Sequence, residues 1–107
     1  VQRAQPVTNA LTLGDITLDT ARHTVEAAGQ PVVLTLKEFD LLHYLMENAD
    51  IVLTREKIME AVWGFGFEGE SRTVDMHIKT LRQKLGTPSA QIQTVRGVGY
   101  KIGAEPK

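Results

Sequence analysis

From Leu11 the chain alternates apolar and polar positions, with Leu11 and Leu13, then Ile16 and Leu18, on either side of Gly14-Asp15. A two-residue period of this kind predicts two short strands or one bent strand pair. His23–Ala27 and Pro31–Leu34 continue as extended segments, joined by Ala28-Gly29-Gln30, a three-residue connection whose glycine can take a positive φ. The expected product is a small antiparallel sheet.

The period then becomes helical. Thr35-Leu36-Lys37-Glu38 is a capping box, in which the Thr35 hydroxyl accepts from the Glu38 amide and the Glu38 carboxylate accepts from the Thr35 amide. Leu34 and Phe39 stand as its hydrophobic staple. Phe39, Leu42, Leu45, Met46 and Ala49 follow helical spacing, and Asn48–Asp50 supplies an end. Ile51-Val52-Leu53 leads to a second start at Thr54, with Leu53 and Ile58 as another staple, and that helix runs to about Trp63.

Gly64-Phe65-Gly66-Phe67-Glu68-Gly69-Glu70 breaks the helix, and Ser71 is the expected N-cap of a third. In this third helix Val74, Ile78, Leu81 and Leu85 fall within roughly a 60° arc at about 100° per residue. The opposite side carries Arg72, Met76, Lys79 and Gln83. Gly86-Thr87-Pro88-Ser89 ends the helix, with Gly86 near C′. Ile92–Val95 then alternates, turns through Arg96-Gly97-Val98-Gly99 and returns as Tyr100-Lys101-Ile102, a β-hairpin tipped by one arginine.

Length and composition set the frame. The 107 residues, 42% hydrophobic, fit one domain, expected over 10–103, with 1–9 a linker stub or flexible terminus and 104–107 a flexible tail. No cysteine means no disulfide framework and no thiolate metal site, which fits a cytoplasmic location. No apolar run approaches about 18 residues, so no membrane span is expected. The chain begins at Val1 without an initiator Met, which suggests a fragment whose missing part is N-terminal.

The net charge of -1 conceals a division. Residues 1–70 hold five Lys/Arg against eleven Asp/Glu, a net of -6; residues 71–107 hold seven against two, a net of +5. Such asymmetry points one end of the chain at a polyanion.

Enzyme chemistry finds no support in the residues. Gly64–Gly69 matches G-x-G-x-x-G, yet it follows a helix and sets Glu68 and Glu70 where a pyrophosphate would sit. His23, His43 and His77 lie on separate elements with no second histidine at i+3 or i+4, which argues against zinc. Ser71, Asp75 and His77 share a helix but diverge, the last two by about 200° at the helical period. No cofactor is expected. The basic third helix suits the major groove of DNA, and a lone arginine at a hairpin tip suits the minor groove. The rival reading is a protein-interaction module that uses the third-helix face and the Phe65/Phe67 loop. RNA binding would need exposed stacking aromatics. Phe39, Phe65, Phe67, Tyr44, Tyr100 and Trp63 are mostly committed to core or loop.

Several motifs in unbroken order over about residues 10–103 resemble the OmpR/PhoB family of bacterial response-regulator output domains. They are Leu34-Thr35-x-x-Glu38-Phe39-x-Leu41-Leu42, Leu53-Thr54-Arg55-Glu56, Val62-Trp63-Gly64, Arg72-Thr73-Val74-Asp75-Met76-His77-Ile78, Leu81-Arg82-x-Lys84-Leu85 and Thr94-Val95-Arg96-Gly97-Val98-Gly99-Tyr100. The resemblance implies an α+β winged helix-turn-helix: an N-terminal four-stranded antiparallel sheet, three helices and a C-terminal β-hairpin wing. It implies a sequence-specific, double-stranded DNA-binding transcription regulator that is not an enzyme.

By position, the resemblance assigns DNA contacts to Arg55, Arg72, Thr73, Met76, His77, Lys79, Thr80, Thr94, Arg96 and Lys101. Arg96 would enter the minor groove, and Met76 would stand where an apolar base contact is possible. Family members often carry two basic residues where this chain has Lys79-Thr80. The loop Gly64, Phe65, Gly66, Phe67, Glu68, Gly69, Glu70 would meet RNA polymerase. A phosphoacceptor receiver domain would precede the linker. The isolated domain would be monomeric and form a homodimer on tandem direct-repeat half-sites.

Overall fold

The computed structural model describes residues 10–64, 72–86 and 91–103. Its first four strands, β1 (Ala10–Leu13), β2 (Ile16–Asp19), β3 (Thr24–Ala27) and β4 (Gln30–Val32), form an antiparallel meander in chain order. The register aligns Leu11 with Leu18, Leu18 with Val25 and Val25 with Val32. This row lies on one face because cross-strand partners share a side of the pleat. Leu18 and Val25 are buried in the core, and Leu11 and Val32 pack against it.

Two sequence expectations are corrected in this sheet. Gln30 pairs with Ala27, so the β3–β4 connection has two residues rather than three. Ala28 and Gly29 both take positive φ, 53° and 80°, as the tight hairpin turn that matches strand twist requires. The last strand stops at Val32, leaving Leu34 to pack against the core outside the ladder.

Helix α1 (Leu36–Glu47) starts at the expected capping box, with both reciprocal hydrogen bonds formed. Phe39, Leu42, Leu45 and Met46 are buried, joined by Leu41, and Asn48 caps the end. β5 (Leu53–Thr54) and α2 (Arg55–Val62) follow, with Thr54 as N-cap accepting from the Lys57 amide. α3 (Arg72–Leu85) buries the expected stripe of Val74, Ile78, Leu81 and Leu85, and Gly86 (φ 73°) stops it. The chain then forms β6 (Ile92–Val95) and β7 (Gly99–Ile102).

The wing is a three-stranded sheet in the order β5-β7-β6, rather than a bare hairpin. Leu53 pairs with Tyr100 and Thr54 with Gly99. A Cβ on Gly99 would stand 2.0 Å from the Leu53 carbonyl oxygen, so only glycine lets the two backbones approach this closely. Two residues are too few to show a strand period, which is why sequence pattern misses β5. α1 sits at the centre, in contact with α2, α3, β1 and β7.

This is the α+β architecture of a winged helix: a four-stranded antiparallel sheet, three helices and a C-terminal hairpin. Among the described residues no helix is long and apolar enough to cross a membrane. The expectations for the 1–9 linker, the Ser71 cap, the Thr87-Pro88-Ser89 helix end and the 104–107 tail fall outside the described residues.

Candidate nucleic-acid interface

The outward face of α3 carries Met76, Lys79 and Gln83, all exposed, flanked by the half-buried Thr73 and Thr80. Arg72 opens the helix; the expectation for its side chain falls outside the described residues. At the far end of the wing, the Val98 amide donates to the Val95 carbonyl at 3.0 Å. This turn places the exposed Arg96 at the tip.

Helix and wing are fastened to each other at two points along one flank of α3. Seven residues separate Asp75 from Arg82, so both project from the same side of the helix, towards β7. Arg82 Nη2 donates to the Ile92 carbonyl at 2.9 Å and to the Thr94 hydroxyl at 2.8 Å. One turn from the helix start, Asp75 Oδ1 accepts from Arg55 Nε at 2.8 Å and from the Tyr100 hydroxyl. The Tyr100 ring has the Arg55 and Arg82 guanidinium groups at 5.6 and 5.8 Å from its centroid. Both contacts are cation–π in distance.

The charges respond accordingly. Burial alone would raise the Asp75 carboxyl; the Tyr100 and Arg55 hydrogen bonds outweigh it and hold the group below its ordinary value. Tyr100 is pushed up, first by burial and then by donating to Asp75. The Arg55 guanidinium is held more firmly charged by the Asp75 hydrogen bond.

The neighbouring polar side chains also satisfy the fold itself. His77 Nδ1 lies 2.8 Å from the Thr73 carbonyl, which can only accept, so Nδ1 is the donor. The His77 ring meets Trp63 edge-on at 4.9 Å. Lys37 Nζ donates to the Val62 carbonyl at 2.8 Å and stands 5.9 Å from the Trp63 ring. These contacts fix the root of the loop that begins at Gly64, while Phe65, Gly66, Phe67, Glu68, Gly69 and Glu70 fall outside the described residues. Thr80 donates to the His77 carbonyl at 3.1 Å.

The structure therefore gathers Thr73, Met76, Lys79 and Thr80 on one face and joins the Thr94 strand to their helix. Arg55 is tied to the helix flank by Asp75. Lys101 stands apart from this group: Tyr100 and Ile102 are buried on one side of β7, so the residue between them faces the other side. Arg82, Asp75 and Tyr100 were missed as interface supports, although the seven-residue spacing of Asp75 and Arg82 was a signal in hand.

Residues 29–102 match the family described as "Transcriptional regulatory protein, C terminal". The chain belongs to this family. It is a response-regulator DNA-binding output domain of the OmpR/PhoB type, a non-enzymatic unit of transcription regulation. It is 45% identical over 95 residues to the sensory transduction protein RegX3 of Mycolicibacterium smegmatis, covering 86% of this chain and 42% of the relative. It is 44% identical over 106 residues to the transcriptional regulatory protein ResD of Bacillus subtilis, covering 94% and 44%. The chain thus spans less than half the length of the curated relatives it matches.

Among solved structures, the Klebsiella pneumoniae RstA DNA-binding domain in complex with RstA box superposes with a TM-score of 0.79 at 29% identity, covering 90% of this chain and 98% of that one. The Thermotoga maritima response regulator DrrB, an OmpR/PhoB homologue, gives 0.78 at 35%, covering 89% and 44%.

Proposed function

We propose that this domain binds double-stranded DNA sequence-specifically, with the outward face of α3 in the major groove and Arg96 in the minor groove. The observation that carries this reading is the Arg82 bond pair to Ile92 and Thr94, which ties helix and wing together. A surface held in register before binding loses less freedom when it meets a duplex. The RstA DNA-binding domain, matched over 98% of its length, was solved in complex with RstA box.

Lys79 and Arg72 serve phosphates or base edges on the major-groove side, and Met76 and Thr73 meet bases. His77, Thr80 and Thr94 hold the surface in shape and approach the backbone. Arg55 opens α2 beside a cavity of about 390 Å³ lined by Thr54, Glu56, Gly97 and Val98. A helix start next to a guanidinium suits a phosphate. Lys101 contributes charge from the outer side of the wing.

Two copies occupy tandem direct-repeat half-sites about one helical turn apart, forming a homodimer only on DNA. The Gly64–Glu70 loop meets RNA polymerase, a receiver domain precedes residue 10 through the linker, and the protein works in the cytoplasm. Selection of bound duplexes from a random pool tests the core of this reading. Recovery of a repeated motif supports it. A pool that never enriches, alongside capture of a protein partner by the α3 face, would favour the interaction-module alternative.

A further inference from the structure

We infer that Met76 is a reversible oxidation site: a hydroperoxide converts its thioether to the sulfoxide on the folded domain, and the oxidised α3 face holds DNA less tightly. The consequence for DNA rests on the DNA-binding reading above; the oxidation site does not. The chain has three methionines and no cysteine. Met46 and Met59 are 6% and 8% exposed and belong to the hydrophobic core, whereas Met76 is 63% exposed. A peroxide therefore meets one methionine sulfur at the surface and reaches the other two only when the core opens.

Placement makes this a switch rather than a lesion. Oxidation inside a core sets a polar group among apolar neighbours and disrupts the packing. Nine residues separate Met76 from the buried Leu85, which at about 100° per residue puts it half a turn away from the core stripe. Its sulfoxide thus leaves the fold intact. In the reaction the sulfur takes one oxygen atom from hydrogen peroxide, giving up two electrons, and water leaves. A methionine sulfoxide reductase reverses the step, with two thiols oxidised to a disulfide and the oxygen released as water.

The product alters what α3 presents at its midpoint. An apolar tip becomes a dipole whose oxygen accepts hydrogen bonds. Lys79, three residues on, is a neighbour on the helix surface. It is exposed and makes no hydrogen bond or ion pair among the described residues. The new oxygen offers its ammonium an acceptor within the face, in competition with a phosphate. Thr80, four residues on, gives its hydroxyl proton to the His77 carbonyl at 3.1 Å and so does not satisfy that oxygen. An oxygen pressed against a duplex must also shed its water, so both effects weaken binding.

The test treats the domain with graded hydrogen peroxide, locates the added oxygen by peptide mass, and measures affinity for the duplex recovered from the random pool. Met76 should oxidise before Met46 and Met59, and the singly oxidised domain should unfold at the temperature of the parent. Its affinity should fall about tenfold, the cost of a polar group desolvated without a full partner. Reductase treatment should restore it. Met76→Leu, compared with its own untreated sample, should show no change with the same dose. Simultaneous oxidation of all three methionines, unchanged affinity in the Met76 sulfoxide, a loss that reductase fails to reverse, or an equal loss in Met76→Leu overturns this inference alone. If the untreated domain binds no duplex, the DNA-binding reading falls and the proposed effect on DNA falls with it.

Discussion

The Arg82 guanidinium donates to the Thr94 hydroxyl at 2.8 Å, and the two residues belong to α3 and the wing respectively. The bond is exposed, so its own worth is modest, yet it bridges the two parts that the proposed function brings to one duplex. In a double-mutant cycle with Arg82→Ala and Thr94→Val, we expect a coupling of about 0.5–1 kcal/mol in urea unfolding. Amide exchange in β6 should quicken in both single variants. Strict additivity would show that the Arg82–Thr94 bond itself does not hold helix and wing together.

Glu38 links the start of α1 to the end of α3. Its side chain is buried, which by itself would raise its pKa, but Lys84 Nζ at 2.7 Å and the Thr35 amide at 2.9 Å outweigh burial and lower it from 4.5 to about 2. The folded value lies below the unfolded one, so the unfolded chain takes up the proton first as the pH falls. The stabilisation is complete above about pH 4.5 and fades towards about pH 2. Lys84→Met should shift acid unfolding to higher pH and cost about 1 kcal/mol at pH 7, a figure discounted because the half-exposed lysine is screened by solvent. Asp75 pulls in the same direction, so the comparison of variant with parent is the informative one. Superimposable pH–stability curves would contradict the assignment.

Gly99 and Gly97 lie two residues apart and predict opposite tolerances. A side chain at Gly99 meets the Leu53 backbone, whereas Gly97 has open space around it and only its φ of 77° to resist substitution. Gly99→Ala should detach β5 from β7 and destabilise by about 2–3 kcal/mol. Gly97→Ala should cost about 1 kcal/mol, the strain of a left-handed alanine. Chemical denaturation measures both, and equal losses would refute the close approach.

Gln91 is 4% exposed and ties the wing to the N-terminal sheet. Its Oε1 accepts from the Asp15 amide at 3.1 Å and its Nε2 donates to the Leu13 carbonyl at 2.8 Å. Gln91→Ala leaves both backbone groups without that partner, and the expected loss is about 1–3 kcal/mol. Faster exchange of the Asp15 amide in that variant, measured by NMR, is the local sign. Unchanged exchange would mean that this tie carries no stability.

Much of this architecture was readable from local pattern. The Thr35/Glu38 box, the Val74–Leu85 stripe and the alternation at Ile92–Val95 each declare an element within a few residues, because capping and periodicity are short-range physics. The turn at Ala28-Gly29 was misjudged by one residue, since register is decided by the partner strand. The supports of the interface were less legible. Arg55 meets Asp75 across 20 positions, and Gln91 meets Leu13 across 78. Such pairs exist only once topology brings distant segments together, and nothing local distinguishes them from solvated polar residues. Lys101 illustrates the converse, a basic residue whose charge was legible but whose side of the sheet depended on pairing.

The central claim is that the α3 face and the wing tip engage one duplex together, and the salt dependence of binding probes it most directly. With about four phosphate or groove charges neutralised, log K against log salt should fall with a slope of about -4 for the isolated domain. Lys79→Ala and Arg96→Ala should each reduce that slope by about one, and the double variant by about two. A flat titration, or slopes that neither substitution alters, would contradict the account.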